Sequence, residues 1–210
     1  DILKSYRYTL DPIGNRTIVR YQDGSGINWR YDDADRLIRE TTLDTAGGNV
    51  QDVAYAYDPV GNIIQKTTNG TAVSYTYNEL DQLQAAGTTE YRYDARGNLI
   101  EIQDGTDVRS FTWDAADRLI AATYPDGMSA AYQYDWQGRR VMKQIGTDST
   151  HYLWDIASQY GDVVAEFDDS GAPLVEYVLA GPSLIGEVRG DNASYLLTDG
   201  QGSIRTVTNN

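Results

Sequence analysis

The sequence contains no cysteine, which excludes disulfides, thiol catalysis and thiolate-bound metal. It has one histidine, His151, so a histidine-based zinc site is excluded, and a Ser-His-Asp arrangement would have to use that residue. No apolar run approaches the roughly 18 residues of a membrane span. The opening DILKSYRYTLD has no basic segment followed by an apolar one, so any targeting signal is expected upstream of Asp1 in a longer protein. Positive charge is scarce: 17 Lys and Arg face 31 Asp and Glu, a formal net charge of −14. Such a field repels phosphate backbones and anionic lipid, and no nucleic-acid partner is expected.

What is present is aromatic and turn-rich. There are 17 Tyr and 4 Trp against 2 Phe and 2 Met, with 20 Gly and 5 Pro. This composition favours strands over helices. A chain of 210 residues is long enough to bury a substantial core, as one large all-β domain or two small ones.

One phrase returns along the chain, as YTLDPIGNRTI, WRYDDADRLIR, YAYDPVGNIIQ, YTYNELDQLQA, YRYDARGNLIE, FTWDAADRLIA and YQYDWQGRRVM, with a weaker copy in YLWD. Its anchors are Asp11, Asp32, Asp58, Asn78, Asp94, Asp114, Asp135 and Asp155, spaced by about two strands and two turns. The copies alternate. Gly14, Gly61, Gly97 and Gly138 take the fourth turn position in one type, and Asp35, Asp81 and Asp117 take it in the other. The larger period is a pair of repeats.

Each copy reads as a β-hairpin. Aromatics at i and i+2, such as Tyr55 and Tyr57 or Phe111 and Trp113, share one face of a strand, while the residue between them is polar or small. The following Asp accepts hydrogen bonds from amides one or two residues on, and the Gly or Asp three later tolerates positive φ. Leu37, Ile63, Leu83, Leu99 and Leu119 open the return strands and pack against neighbouring aromatics. At the other hairpin end, Asp23-Gly24, Asn69-Gly70, Asp104-Gly105 and Asp126-Gly127 suit two-residue loops. About sixteen strands at 4.8 Å spacing make a ribbon roughly 75 Å wide, and a twisted sheet that wide curls or splits.

YDPVGNIIQK and YRYDARGNLIE resemble the tyrosine-aspartate (YD) repeats of the Rhs family, which includes bacterial polymorphic toxins, the B and C components of Tc toxins, and teneurins. LAGPSLIGEV and YLLTDGQGSIRTVTN are similar to the closing region of the Rhs core, carried here by Asp199, Gly202, Ser203, Ile204 and Arg205. The resemblance implies an all-β fold of tandem YD-repeat hairpins in a continuous curled or spiral antiparallel sheet, part of a β-cocoon shell. It implies one array over residues 1–210, regular over 1–155 and divergent over 156–210 with the core-closing motif. It further implies a secreted or cell-surface bacterial scaffold that encapsulates or presents a C-terminal toxin or other passenger polypeptide. The self-cleaving aspartyl segment and toxin domain of such toxins do not appear within the sequence.

Candidate chemistry is sparse. The recurring Asp carboxylates invite an acid-base or calcium reading, but each fits a turn cap and none forms a dense calcium loop. His151 lies in THYLWD without a nucleophile elbow, and the serine of QGSIR belongs to the closing motif. Asn192-Ala193-Ser194 is a glycosylation sequon, meaningful only in a eukaryotic secretory setting. No catalytic, cofactor-binding or metal-binding residue and no enzyme activity are expected. The alternative function is an extracellular adhesive or filament-forming module that self-associates through its edge strands, with carbohydrate as a further candidate ligand for the aromatics.

Overall fold

The computed structural model describes residues 5–158, 161–181, 183–199 and 202–209, which form twenty β-strands and no helix. Asp1, Asn210 and Gly200 and Gln201 of the closing motif lie outside the described residues. The chain divides into two units, Asp1–Tyr91 and Arg92–Asn210. The first holds β1 (Tyr6–Leu10), β2 (Arg16–Tyr21), β3 (Gly26–Tyr31), β4 (Leu37–Leu43), β5 (Asn49–Tyr57), β6 (Ile63–Thr68), β7 (Thr71–Tyr77) and β8 (Leu83–Ala86). The division falls inside β9 (Thr89–Tyr93). The second holds β10 (Leu99–Asp104), β11 (Asp107–Trp113), β12 (Leu119–Thr123), β13 (Ser129–Tyr134), β14 (Arg140–Ile145) and β15 (Asp148–Asp155). It continues with β16 (Asp162–Phe167), β17 (Pro173–Ala180), β18 (Ser183–Arg189), β19 (Asn192–Thr198) and β20 (Ile204–Asn209).

Within each unit, strands pair antiparallel with their neighbours in the chain, β1 with β2 through β8 with β9, and β10 with β11 through β19 with β20. Each unit is thus an open meander of hairpins, as the repeats require. The count exceeds the sixteen strands expected from the eight anchors, because β17–β20 form in the divergent stretch without a Tyr-x-Tyr-Asp signal.

The two-residue period is visible in burial. In β9, Glu90 and Arg92 are exposed while Thr89, Tyr91 and Tyr93 are half-buried. A substantial core does not form. Among the described residues the buried apolar side chains are Val19 and Val53 in the first unit, and Ala122, Ala130, Ala165 and Val175 in the second. Inside a unit, the described strands touch only strands adjacent in the chain, so no second layer among the described residues covers either face. Val19, opposite Tyr8 and Ile27, and Ala122, opposite Phe111 and Ala130, are shielded by their own ladder neighbours.

The YD turn is built from its aspartate outward. Asp94 Oδ1 accepts the backbone N–H groups of Arg96 and Asn98, both at 2.9 Å, and Gly97 N–H returns to the Asp94 carbonyl at 3.1 Å. The capped amides are therefore two and four residues on: the nearer one falls where the sequence reading placed it, and the farther one was not foreseen. The residue at the third position takes positive φ in both turn types, 89° at Gly97 and 57° at Asp117. A register shift accompanies these turns, as between Ala56 and Tyr57 or Thr112 and Trp113, which marks a bulge where the second aromatic sits.

The opposite hairpin ends differ from expectation in detail. Asn69-Gly70 is a two-residue loop with both φ positive, 48° and 84°, as type I′ requires. Asp104 instead ends its strand opposite Asp107, so the loop is Gly105-Thr106 with glycine first, the type II′ pattern. Gly24 and Gly127 close longer turns, donating to the Tyr21 and Tyr124 carbonyls. A Gly that tolerates positive φ at either loop position made these loops ambiguous by one residue.

Candidate functional site

The repeated aromatics form a ladder with two distinct rungs. In six of the pairs the second aromatic reaches back to the preceding repeat. Tyr31 Oη donates to the Arg16 carbonyl at 2.8 Å, Tyr57 to Leu37 at 2.6 Å, Tyr77 to Ile63 at 2.9 Å and Tyr134 to Leu119 at 2.8 Å. Trp113 and Trp154 do the same through Nε1, to Leu99 at 2.8 Å and Arg140 at 3.0 Å. All six acceptors are the residue that opens the return strand of the previous repeat. Phenylalanine has no donor for this clasp, and Phe111 accordingly takes the first aromatic position.

First-position aromatics serve as packing surface with occasional polar links. Trp29 Nε1 donates to Glu40 at 2.8 Å, and in the divergent region Tyr177 Oη donates to Glu166 at 2.7 Å. Guanidinium groups lie over the rings, Arg36 at 4.7 Å from the Tyr57 centroid and Arg118 at 5.1 Å from Tyr134, while Arg140 contacts both Tyr132 and Tyr152 at 5.6 and 5.0 Å. Such contacts contribute about 0.5–1 kcal/mol each near the surface.

The electrostatics follow from these partners. Burial pushes the phenols of Tyr31, Tyr57 and Tyr77 above their ordinary value, and burial with the Glu166 hydrogen bond takes Tyr177 up to about 12. Tyr31, Tyr57 and Tyr77 therefore keep their donating protons through the physiological range. The carboxyls move the other way: the Arg36 backbone amide lowers Asp32, the Asn98 side chain lowers Asp94 and the Arg118 side chain lowers Asp114. The ionised carboxylate is the stronger acceptor, so each donated hydrogen bond favours the charged form.

His151 Nε2 lies 2.9 Å from Asp169 Oδ1, and the Ser149 side chain hydrogen-bonds the same carboxylate. The carboxylate stands between hydroxyl and imidazole, an order that does not let the imidazole take a proton from the hydroxyl. Ser203 belongs to the closing turn, its N–H donating to Asp199 at 3.1 Å. Asn192, Ala193 and Ser194 open β19 in its pairing with β18. A shallow groove of about 440 Å³ is lined by Asp11, Trp29, Tyr31, Asp32 and Asp35, whose carboxylates are committed to turn amides and Asn15. The described residues contain no group of three or more acidic or histidine side chains placed to hold a metal.

Besides the closing turn at Asp199, two capped turns carry no Tyr-x-Tyr signal. Asp44 accepts the Ala46 and Gly48 amides at 2.9 and 2.7 Å, and Asp168 accepts those of Ser170 and Ala172, both at 2.9 Å. The Asp-x-x-Gly spacing alone would have found both.

Hairpins joined by backbone clasps, capped turns and a one-sided aromatic ladder define a structural repeat scaffold, in which the recurring side chains build the wall itself. The chain belongs to the Teneurin YD-shell family, whose model matches residues 15–210. Several solved structures also align with the chain. A Photorhabdus luminescens Tc holotoxin pore aligns with 97% of this chain and 15% of its own at 16% identity and a TM-score of 0.44. A TcdB2-TccC3 crystal structure aligns with 96% and 15% at 16% identity and a TM-score of 0.43. A porin-like protein from Bacteroides uniformis covers 99% of this chain at 13% identity, with a TM-score of 0.31 and 96% of its own length. The chain spans about 15% of the length of the Tc toxin chains it matches. No curated protein sequence matches it.

Proposed function

We propose that this chain is a wall segment of a YD-type shell, one array over residues 1–210, which encapsulates or presents another polypeptide of its parent protein outside the cell or at its surface. The observation that carries the reading is the clasp. Six second-position aromatics spend their polar atom on the preceding repeat, so the motif makes a barrier and leaves no convergent nucleophile, base and orienting group for catalysis. The role is architectural and non-enzymatic. The test is limited proteolysis of the intact parent protein: an enclosed polypeptide resists cleavage until the array unfolds. Digestion of that polypeptide at the rate of a free domain, with the array still folded, overturns encapsulation.

A further inference from the structure

The alternation of glycine and aspartate turns has a physical cause along the YD-turn edge of the sheet. Asp35, Asp81 and Asp117 hold φ of 58°, 57° and 57°, a left-handed backbone that glycine adopts freely and residues with a Cβ resist. Each is offset by the glycine-type turn before it. Asn15 Nδ2 donates to Asp35 at 3.2 Å, Asn62 to Asp81 at 2.9 Å and Asn98 to Asp117 at 2.8 Å. The other hydrogen of the Asn62 amide goes to its own Asp58 at 3.1 Å, and that of Asn98 to Asp94 at 3.0 Å. Only a carboxamide of this length offers two N–H groups to two carboxylates there, which explains asparagine directly after the turn glycine.

Two of the three aspartate-type turns reach forward by a different device, while Gln82 after Asp81 pairs with its own Asn78. Arg36 holds its own Asp32 through Nε at 2.8 Å and extends Nη1 to the Asp58 carbonyl of the next turn at 3.2 Å. Arg118 repeats this with Asp114 at 2.7 Å and the Asp135 carbonyl at 3.1 Å. The pattern stops near the end of the regular repeats. Arg139 replaces asparagine after Gly138 and turns back to Asp135 at 2.7 Å, and Ser158 stands three residues after Asp155, where the turns before it carry glycine or aspartate.

We infer that the alternation is a pairing code: a glycine-type turn is built to be followed by an aspartate-type turn and the reverse, which sets the order in which near-identical repeats dock. A slip by one repeat sets glycine turn beside glycine turn, aiming an asparagine amide at a residue with no carboxylate. The strained aspartate then loses its donor. Repeats this similar are prone to misassembly, and a cost on the wrong neighbour is what confers order. This inference concerns assembly of the array and stands whether or not the array encloses a passenger.

The experiment is a thermodynamic cycle in the full chain with Asn62→Ala, Asp81→Gly and the double variant, followed by urea unfolding, and a second cycle with Asn98→Ala and Asp117→Gly. With the asparagine present, Asp81→Gly lowers the folding equilibrium constant or leaves it unchanged; with Asn62→Ala in place the same change raises it. The two effects differ by about 3- to 10-fold, the net contribution of an exposed side-chain hydrogen bond. A uniform-turn variant (Asp35→Gly, Asp81→Gly and Asp117→Gly) is expected to fold, since glycine relieves the backbone, yet to refold from urea with less than half the wild-type monomer yield. Additive cycles at both pairs, or a uniform-turn variant that refolds with wild-type yield, overturn the code.

Discussion

Replacing Tyr57 by phenylalanine keeps the ring and removes the one oxygen that donates to the Leu37 carbonyl at 2.6 Å. The ring remains beneath the Arg36 guanidinium, 4.7 Å from its centroid, so packing and the cation–π contact survive. What is lost is the clasp. A net hydrogen bond contributes about 0.5–1.5 kcal/mol, which lowers the folding constant roughly 2- to 12-fold. Tyr55 is the matched control: it sits two residues earlier on the same face of β5, and its hydroxyl makes no hydrogen bond among the described residues. Tyr55→Phe should change stability by less than about 0.5 kcal/mol. Urea unfolding followed by tryptophan fluorescence reads both as shifts of midpoint at constant slope. Equal shifts for the two variants, or a larger one at Tyr55, would refute the division of the ladder into clasp and packing positions.

Acid should loosen the array. The folded-state pKa values of Asp32, Asp94, Asp114 and Asp168 are lowered, so their contribution is complete above the unfolded carboxylate value and is lost as pH falls through the folded one. Thermal melts should be flat from pH 7 to about 5 and decline below about 4, whereas a melting temperature that rises on acidification would contradict the capping role. Alkali acts through the raised phenols: with Tyr177 near 12, stability holds below about pH 10 and falls above it as unfolded tyrosines ionise, measurable by circular dichroism. Gly61→Ala meets no atom within 4 Å but must keep φ of 106°, so calorimetry should report a loss of about 1 kcal/mol from the backbone alone. Asp199→Ala removes a carboxylate whose side chain is 1% exposed and which accepts Arg205 Nε at 2.8 Å; a loss of about 1.5–3 kcal/mol is expected in urea, and Asp199→Asn should retain part of it.

Local chemistry was legible in the sequence, and partnership between repeats was not. Asp94 and Gly97 announce their turn because both requirements, an acceptor and a positive φ, act within five residues. Asp44 and Asp168 make the same turn after strands ending in Leu43 and Phe167, so a search keyed on Tyr-x-Tyr passes over them. Tyr57 gives no sign that its hydroxyl is spent on Leu37, twenty residues back, since that distance exists only once the hairpins dock. The alternation of Gly97 with Asp117 is visible as a pattern, while its reason lies in the bond from Asn98 across the turn edge. Half-burial of the aromatics was also hidden, because alternation shows which side chains share a face and not whether anything covers it.

Six repeats are bound to the one before by the second aromatic of their pair. Hydrogen exchange along the full chain tests this directly, comparing a double variant at Tyr57 and Tyr77 with one at Tyr55 and Tyr75, all changed to phenylalanine. Faster amide exchange is expected in β4–β7 for the first variant and near wild-type protection for the second. Equal acceleration in both variants, or in neither, would contradict it.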